Sequence, residues 1–116
     1  MSQERRKFER VVLPRGSRAF IARPDGKRVG ALSVLGRGGF QVDTTEKFKP
    51  GEAYHFQIVD ESEEINRGVW AIPRMVTADA VGFEFESLEA DAAVEIGVII
   101  GKYYSASEGS AAKWPE

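Results

Sequence analysis

Tyr54-His55-Phe56-Gln57-Ile58 alternates apolar and polar residues without a break. It therefore reads as a strand with Tyr54, Phe56 and Ile58 on one face and His55 and Gln57 on the other. Working outward, the same period recurs on both sides. Asp60-Glu61-Ser62-Glu63-Glu64 is an acidic loop, and Ile65 to Val76 is a second strand pattern. Pro73 interrupts that run; with no N–H to give a ladder, it belongs on an edge or at a bulge. Val81, Phe83 and Phe85 alternate with Gly82, Glu84 and Glu86, one face apolar and the other acidic. Toward the amino terminus, Lys49-Pro50-Gly51-Glu52 is a turn, and Phe40, Val42 and Thr44 alternate with Gln41 and Asp43. Gly36-Arg37-Gly38-Gly39 breaks the chain before that strand. Arg28 to Leu35 and Arg18 to Arg23 form a hairpin around Pro24-Asp25-Gly26-Lys27, where proline presets φ and Asp-Gly accepts positive φ. Short strands separated by such turns predict an all-β barrel or sandwich.

After Ser87 the period changes. Ala92, Ile96, Ile99, Ile100 and Tyr103 recur at helical spacing, with Ser87 or Asp91 as the N-cap. The pattern predicts a carboxy-terminal helix, weakened by Gly97 and Gly101 at about 1 kcal/mol each relative to alanine. Its apolar stripe packs across the barrel or forms a dimer contact. Residues 1–16 read as a flexible basic arm, in which Val11-Val12-Leu13 covers the barrel end or joins the first strand. Residues 17–104 hold the barrel and helix, and residues 105–116 read as a disordered tail.

At 116 residues, 42% hydrophobic and 29% charged, the chain suits one folded domain. No apolar run reaches the roughly 18 residues of a membrane span, so no membrane insertion is expected. The polar start Met1-Ser2-Gln3-Glu4-Arg5-Arg6-Lys7 has no secretory character, and there is no cysteine for disulfides or thiolate metal sites. A cytoplasmic protein is the expectation. Residues 1–30 carry nine basic and three acidic side chains, while the remaining 86 carry seven and fifteen. A basic front on an acidic body fits an anionic ligand held near the amino terminus, but charge alone favours two complementary faces of one fold.

Catalytic chemistry finds little support. His55 is the single histidine, set on the polar side of a strand with no His or Cys nearby. The carboxylates at 60–64 and at Glu84 and Glu86 read as solvated faces, since an acid–base pair needs a cleft and divergent environments. Gly36-Arg37-Gly38-Gly39 lacks the lysine and Ser/Thr of a phosphate loop. Trp70 reads as packing at the core or rim, and Trp114 has no assignable role. The chain is not expected to be an enzyme.

What remains is Arg5-Arg6-Lys7-Phe8-Glu9-Arg10. Guanidinium forks clamp phosphate oxygens in pairs and stack on purine faces. The order of features is an Arg-Arg-x-x-x-Arg arm, a hairpin, a Gly-Gly turn with an alternating strand, then Pro-Gly-Glu and Val-Gly-Phe-Glu-Phe. Over residues 4–103 this order resembles the PilZ family. The resemblance implies a six-stranded antiparallel PilZ-type β-barrel with a C-terminal α-helix, and cyclic di-GMP as ligand. It implies that Arg6 and Arg10 clamp guanine and phosphate groups, with Arg5 in support.

The family's second motif, Asp/Asn-x-Ser-x-x-Gly, is altered here. In the preferred register it falls on Val34-Leu35-Gly36-Arg37-Gly38-Gly39, where valine replaces the Asp/Asn and glycine the serine. Shifted by three, Ala31 to Gly36 recovers Ser33 and Gly36 but still lacks the Asp/Asn. Each buried guanine contact left unpaired costs about 1–3 kcal/mol, a tens- to hundreds-fold loss. Arg37 in the turn reads first as a solvated surface residue, and alternatively as a phosphate contact that compensates. Ligand-binding candidates are thus Arg5, Arg6, Arg10, Ser33, Gly36, Arg37 and Gly39. The expected function is a cyclic di-GMP receptor that signals to a downstream protein target. The alternative is a PilZ-like adaptor that binds no nucleotide and works through protein contacts. Nucleic-acid binding through the arm is disfavoured by the acidic body.

Overall fold

A computed structural model describes residues 10–106 of the chain. Seven strands precede one helix: β1 Arg10–Val12, β2 Ala19–Ala22, β3 Arg28–Gly36, β4 Gly39–Asp43, β5 Tyr54–Asp60, β6 Ile65–Val76, β7 Ala80–Ser87 and α1 Ala90–Ala106. Six of the strands close on themselves in the order β3-β2-β5-β6-β7-β4 and back to β3, every pairing antiparallel. Closure removes the free edges that would otherwise template aggregation. The expected six-stranded barrel with a C-terminal helix is what forms.

The seventh strand was not expected as a separate element. β1 shares one edge of β3 with β2: β2 pairs with Arg28 to Ala31, and β1 with Val34 to Gly36. Val11 is 1% exposed and Leu13 is 6% exposed, and the Leu13 N–H donates to the Ser33 carbonyl at 3.0 Å. Residues 10–13, within the stretch expected as an arm, are therefore laid onto the barrel by two alternating apolar side chains. Residues 1–9 lie outside the described residues, and so does 107–116, most of the expected tail. The helix itself runs two residues past the expected boundary, to Ala106.

Inside the barrel the alternating residues meet as an aromatic cluster. Phe40 stacks on Phe83 at 5.0 Å, and Phe48 meets Phe56 and Phe83 edge-on at 5.6 and 5.3 Å. Phe48 comes from the 44–53 connection and plugs one barrel end, where Arg23 covers its ring at 5.1 Å and pairs with Glu46. Burying each such ring contributes about 1.5–3 kcal/mol. Pro73 sits, as expected, at an irregularity of β6 between Pro73 and Met75.

The helical stripe Ala92, Ile96, Ile99, Ile100 and Tyr103 is buried, and α1 packs on β1, β3 and β6. Neither proposed N-cap caps it. Ser87 ends β7, and Asp91 lies in the first helical turn, where its charge complements the helix dipole. The first ladder bond instead runs from the Ala93 N–H to the Glu89 carbonyl at 2.9 Å. Polar contacts fix the far face: Arg67 Nε lies 2.8 Å from Glu95 Oε1, and Lys102 reaches Asp60 at the end of β5 and Ser62 and Glu63 of the β5–β6 loop. The acidic loop thus docks the helix instead of facing only solvent. No helix among the described residues is long and apolar enough to cross a membrane.

Candidate functional site

The antiparallel registers line up one outward-facing row across five strands. Val12 pairs with Val34, Val34 with Gln41, Gln41 with Gly82, and Gly82 with Met75. A second row places Gly39 beside Glu84 and Glu84 beside Ile72. Glycines at 36, 39 and 82 leave this part of the sheet without side chains, so a shallow floor opens between taller neighbours. The resulting concavity has a volume of about 780 Å³. Val34, Gly39, Gln41 and Gly82 form its floor; Arg10, Arg37 and Arg74 stand around it.

Each wall has a local cause. Arg10 opens β1 and is held across from Gly36 because Val11 is pinned beneath it. Arg37 belongs to the bend between β3 and β4, and its guanidinium extends toward α1, with nitrogens 3.9 and 4.0 Å from where a side chain on Gly97 would begin. It thereby also borders a smaller hollow formed with Ala93, Val94, Gly97 and Val98. Arg74 is the extra residue of the β6 irregularity, and such bulges re-aim a side chain. Its Nε donates to Glu84 Oε1 at 2.7 Å. Val12 and Met75, 55% and 56% exposed, are the apolar ends of the row. Three cations around a flat, partly apolar floor suit an anion that carries planar rings.

The site residues expected from sequence are distributed as follows. Arg10, Gly36, Arg37 and Gly39 all line the concavity. Gly39 has a structural requirement as well, since a Cβ there would stand 2.0 Å from the Phe83 carbonyl oxygen. Ser33 does not line the floor. It is the bulge residue between Leu32 and Val34, and its hydroxyl donates to the Gln41 carbonyl at 3.1 Å while accepting from Gln41 Nε2 at 3.3 Å. Its role is to hold Gln41, which does line the floor. Arg5 and Arg6 lie outside the described residues.

Sequence reasoning missed Arg74 and Glu84. Glu84 was legible as the outward side of the Val81–Phe85 alternation, but Arg74 depends on a bulge whose direction no periodicity gives. Elsewhere on the outer wall, His55 and Trp70 pair across β5 and β6 with rings parallel to within 9° and 4.8 Å apart, and Trp70 is 46% exposed. Among the described residues, no group of three His, Cys, Asp or Glu side chains converges to hold a metal.

No family model and no curated protein matches the chain. Among solved structures, it is similar to the PilZ domain of YcgR from Escherichia coli, described with c-di-GMP. The likeness covers 90% of this chain and 95% of that one, with a TM-score of 0.66 and 13% sequence identity. The chain has a PilZ-like fold: a closed six-stranded antiparallel barrel carrying a C-terminal helix.

Proposed function

We propose that this chain is a non-enzymatic, cytoplasmic bacterial receptor module for cyclic di-GMP, which it holds on the outer barrel wall and reports to a downstream protein. The observation that carries this reading is the ring of Arg10, Arg37 and Arg74 around a glycine-floored concavity of about 780 Å³. A dinucleotide brings two phosphates for the guanidinium forks and two purines whose faces lie flat on Val34 and the floor glycines. Arg5 and Arg6 precede Arg10 in the chain and are assigned to close over the ligand from the same side. The similar YcgR domain, solved with that ligand, supports the choice of dinucleotide.

A second reading, a protein-binding adaptor without nucleotide, is favoured by one feature. Val94 and Val98 stand 66% and 46% exposed on the outer face of α1, beside Arg37.

The test is a calorimetric titration of cyclic di-GMP into the protein beside an Arg6→Ala/Arg10→Ala double variant. Micromolar or tighter binding that disappears in the variant supports the receptor. No heat at high ligand concentration overturns it in favour of the adaptor. Binding to unrelated DNA with steep salt dependence would instead point to the phosphate backbone as the anion recognised.

A further inference from the structure

We propose that Arg74 and Glu84 together read the base of the bound nucleotide and make the site select guanine over adenine. This inference rests on the receptor reading above and assigns the part of that site which decides the base.

A carboxylate at the rim of an anion site needs an explanation, since it repels the phosphates that three arginines attract. Glu84 is placed there by register: it pairs with Gly39 on one side and Ile72 on the other, on the outward face of β7. Its partner Arg74 is brought to it by the β6 bulge, and the two bond through a single pair of atoms, Nε and Oε1, at 2.7 Å. Arg74 is 57% exposed and Glu84 56%. The bond leaves the Arg74 Nη groups and Glu84 Oε2 without a hydrogen-bond partner among the described residues, and both side chains border the concavity.

The free groups form an ordered array of acceptor followed by donors. Guanine offers the complementary order along one side: N2–H and N1–H as donors, then O6 and N7 as acceptors. Glu84 accepts from N1–H and N2–H, while Arg74 donates to O6 and N7, the two residues remaining bonded to each other throughout. Adenine presents the lone pair of N1 where guanine has a proton, so the carboxylate meets an acceptor. Adenine also presents N6–H₂ where Arg74 offers donors. Both mismatches oppose binding, and polar groups left unpaired beneath the bound base are what gives a hydrogen-bonding site its selectivity. Glu84 is the one carboxylate among the described residues that line the concavity.

The experiment titrates cyclic di-GMP and cyclic di-AMP separately into the wild-type chain and into Glu84→Gln and Arg74→Ala variants, with thermal unfolding confirming that each is folded. The expected result is a preference for cyclic di-GMP of at least about 30-fold in the wild type. Glu84→Gln lowers that preference by about tenfold, because an amide N–H₂ can donate to adenine N1 while the Arg74 mismatch with N6–H₂ remains. Arg74→Ala weakens cyclic di-GMP more than cyclic di-AMP. A Glu84→Gln variant that keeps the wild-type preference overturns the inference and leaves the receptor reading standing. A wild-type chain that binds neither dinucleotide overturns the receptor reading itself, and the inference falls with it.

Discussion

Lys102 Nζ lies 3.6 Å from Oδ2 of Asp60, a carboxylate that is fully buried at the end of β5. The other Asp60 oxygen accepts from the Ser62 N–H at 3.1 Å and the Ser62 hydroxyl at 2.7 Å, and among the described residues Lys102 is the cation that faces Oδ2. Lys102 also meets Glu63 at 3.2 Å, and its position on α1 makes this cluster the clasp between helix and barrel.

Replacing Lys102 by methionine keeps the packing of its stem but strands the buried carboxylate. The expected loss is roughly 2–4 kcal/mol, read as a lower midpoint in urea with an unchanged slope. Partial burial lowers the Lys102 pKa, but the hydrogen bond to Glu63 and the charge of Asp60 outweigh it and hold the value above the ordinary 10.5. A pKa raised on folding means that the stabilisation is fully present below 10.5 and is lost as pH climbs through the higher folded value. The gap in melting temperature between wild type and Lys102→Met is therefore constant from about pH 7 to about pH 10, and narrows only above that. A gap that closes on the acid side of neutrality would contradict the assignment to the lysine.

Gly39 and Gly38 are adjacent and predict opposite outcomes. A methyl group on Gly39 would meet the Phe83 carbonyl oxygen at 2.0 Å, which is backbone and cannot swing aside, whereas one on Gly38 meets nothing within 4 Å. Gly39→Ala should destabilise the barrel by about 2–3 kcal/mol and disturb the β4–β7 ladder. Gly38→Ala should lie within about 0.5 kcal/mol of wild type. Chemical denaturation of the two variants side by side checks the contrast.

On α1, Gly101 has open space where a side chain would stand, and Gly97 has only the Arg37 guanidinium at 3.9 Å. Converting both to alanine should stabilise the protein by about 1–2 kcal/mol, since each glycine costs a helix interior about 1 kcal/mol. The rise in melting temperature should leave dinucleotide affinity unchanged. A fall in stability would mean that these glycines are needed for a close contact on that face.

Arg37 has no ion pair among the described residues and stands between the concavity and the hollow on α1. Removing its charge should weaken cyclic di-GMP binding about 10- to 100-fold, the worth of one charge-assisted contact of about 1.5–3 kcal/mol. Stability should hardly move. Calorimetry with Arg37→Ala, beside the same titration with Arg18→Ala as a distant surface control, separates a ligand contact from a general loss of positive field.

β4, β5 and β7 were legible because side-chain alternation survives in them: Phe40 and Val42, Phe56 and Ile58, and Val81 and Phe83 are all buried as their spacing requires. Half of the site was legible for a different reason. Arg10 falls in the arginine-rich segment whose residue types suggested phosphate binding, and Gly36, Arg37 and Gly39 fall in the segment that the PilZ resemblance marked. The other half depends on irregularities. Arg74 reaches the site because β6 carries an extra residue there, and Ser33 turns away because β3 does the same. A bulge shifts phase by one residue, and alternation alone gives neither its position nor its hand. β1 was hidden by length, since three residues are too few to display a period.

That short strand also sets a distance. With Val11 sealed into the barrel, Arg10 is a mooring point on the rim, and covalent geometry confines Arg6 to within about 14 Å of it, four extended residues away. On the receptor reading proposed above, so short a tether would offer Arg6 to a ligand held by Arg10 at an effective concentration in the millimolar range or above. Pulling the mooring loose, by shortening β1 or by charging position 11, would therefore cost affinity through lost proximity even with every arginine still in the chain.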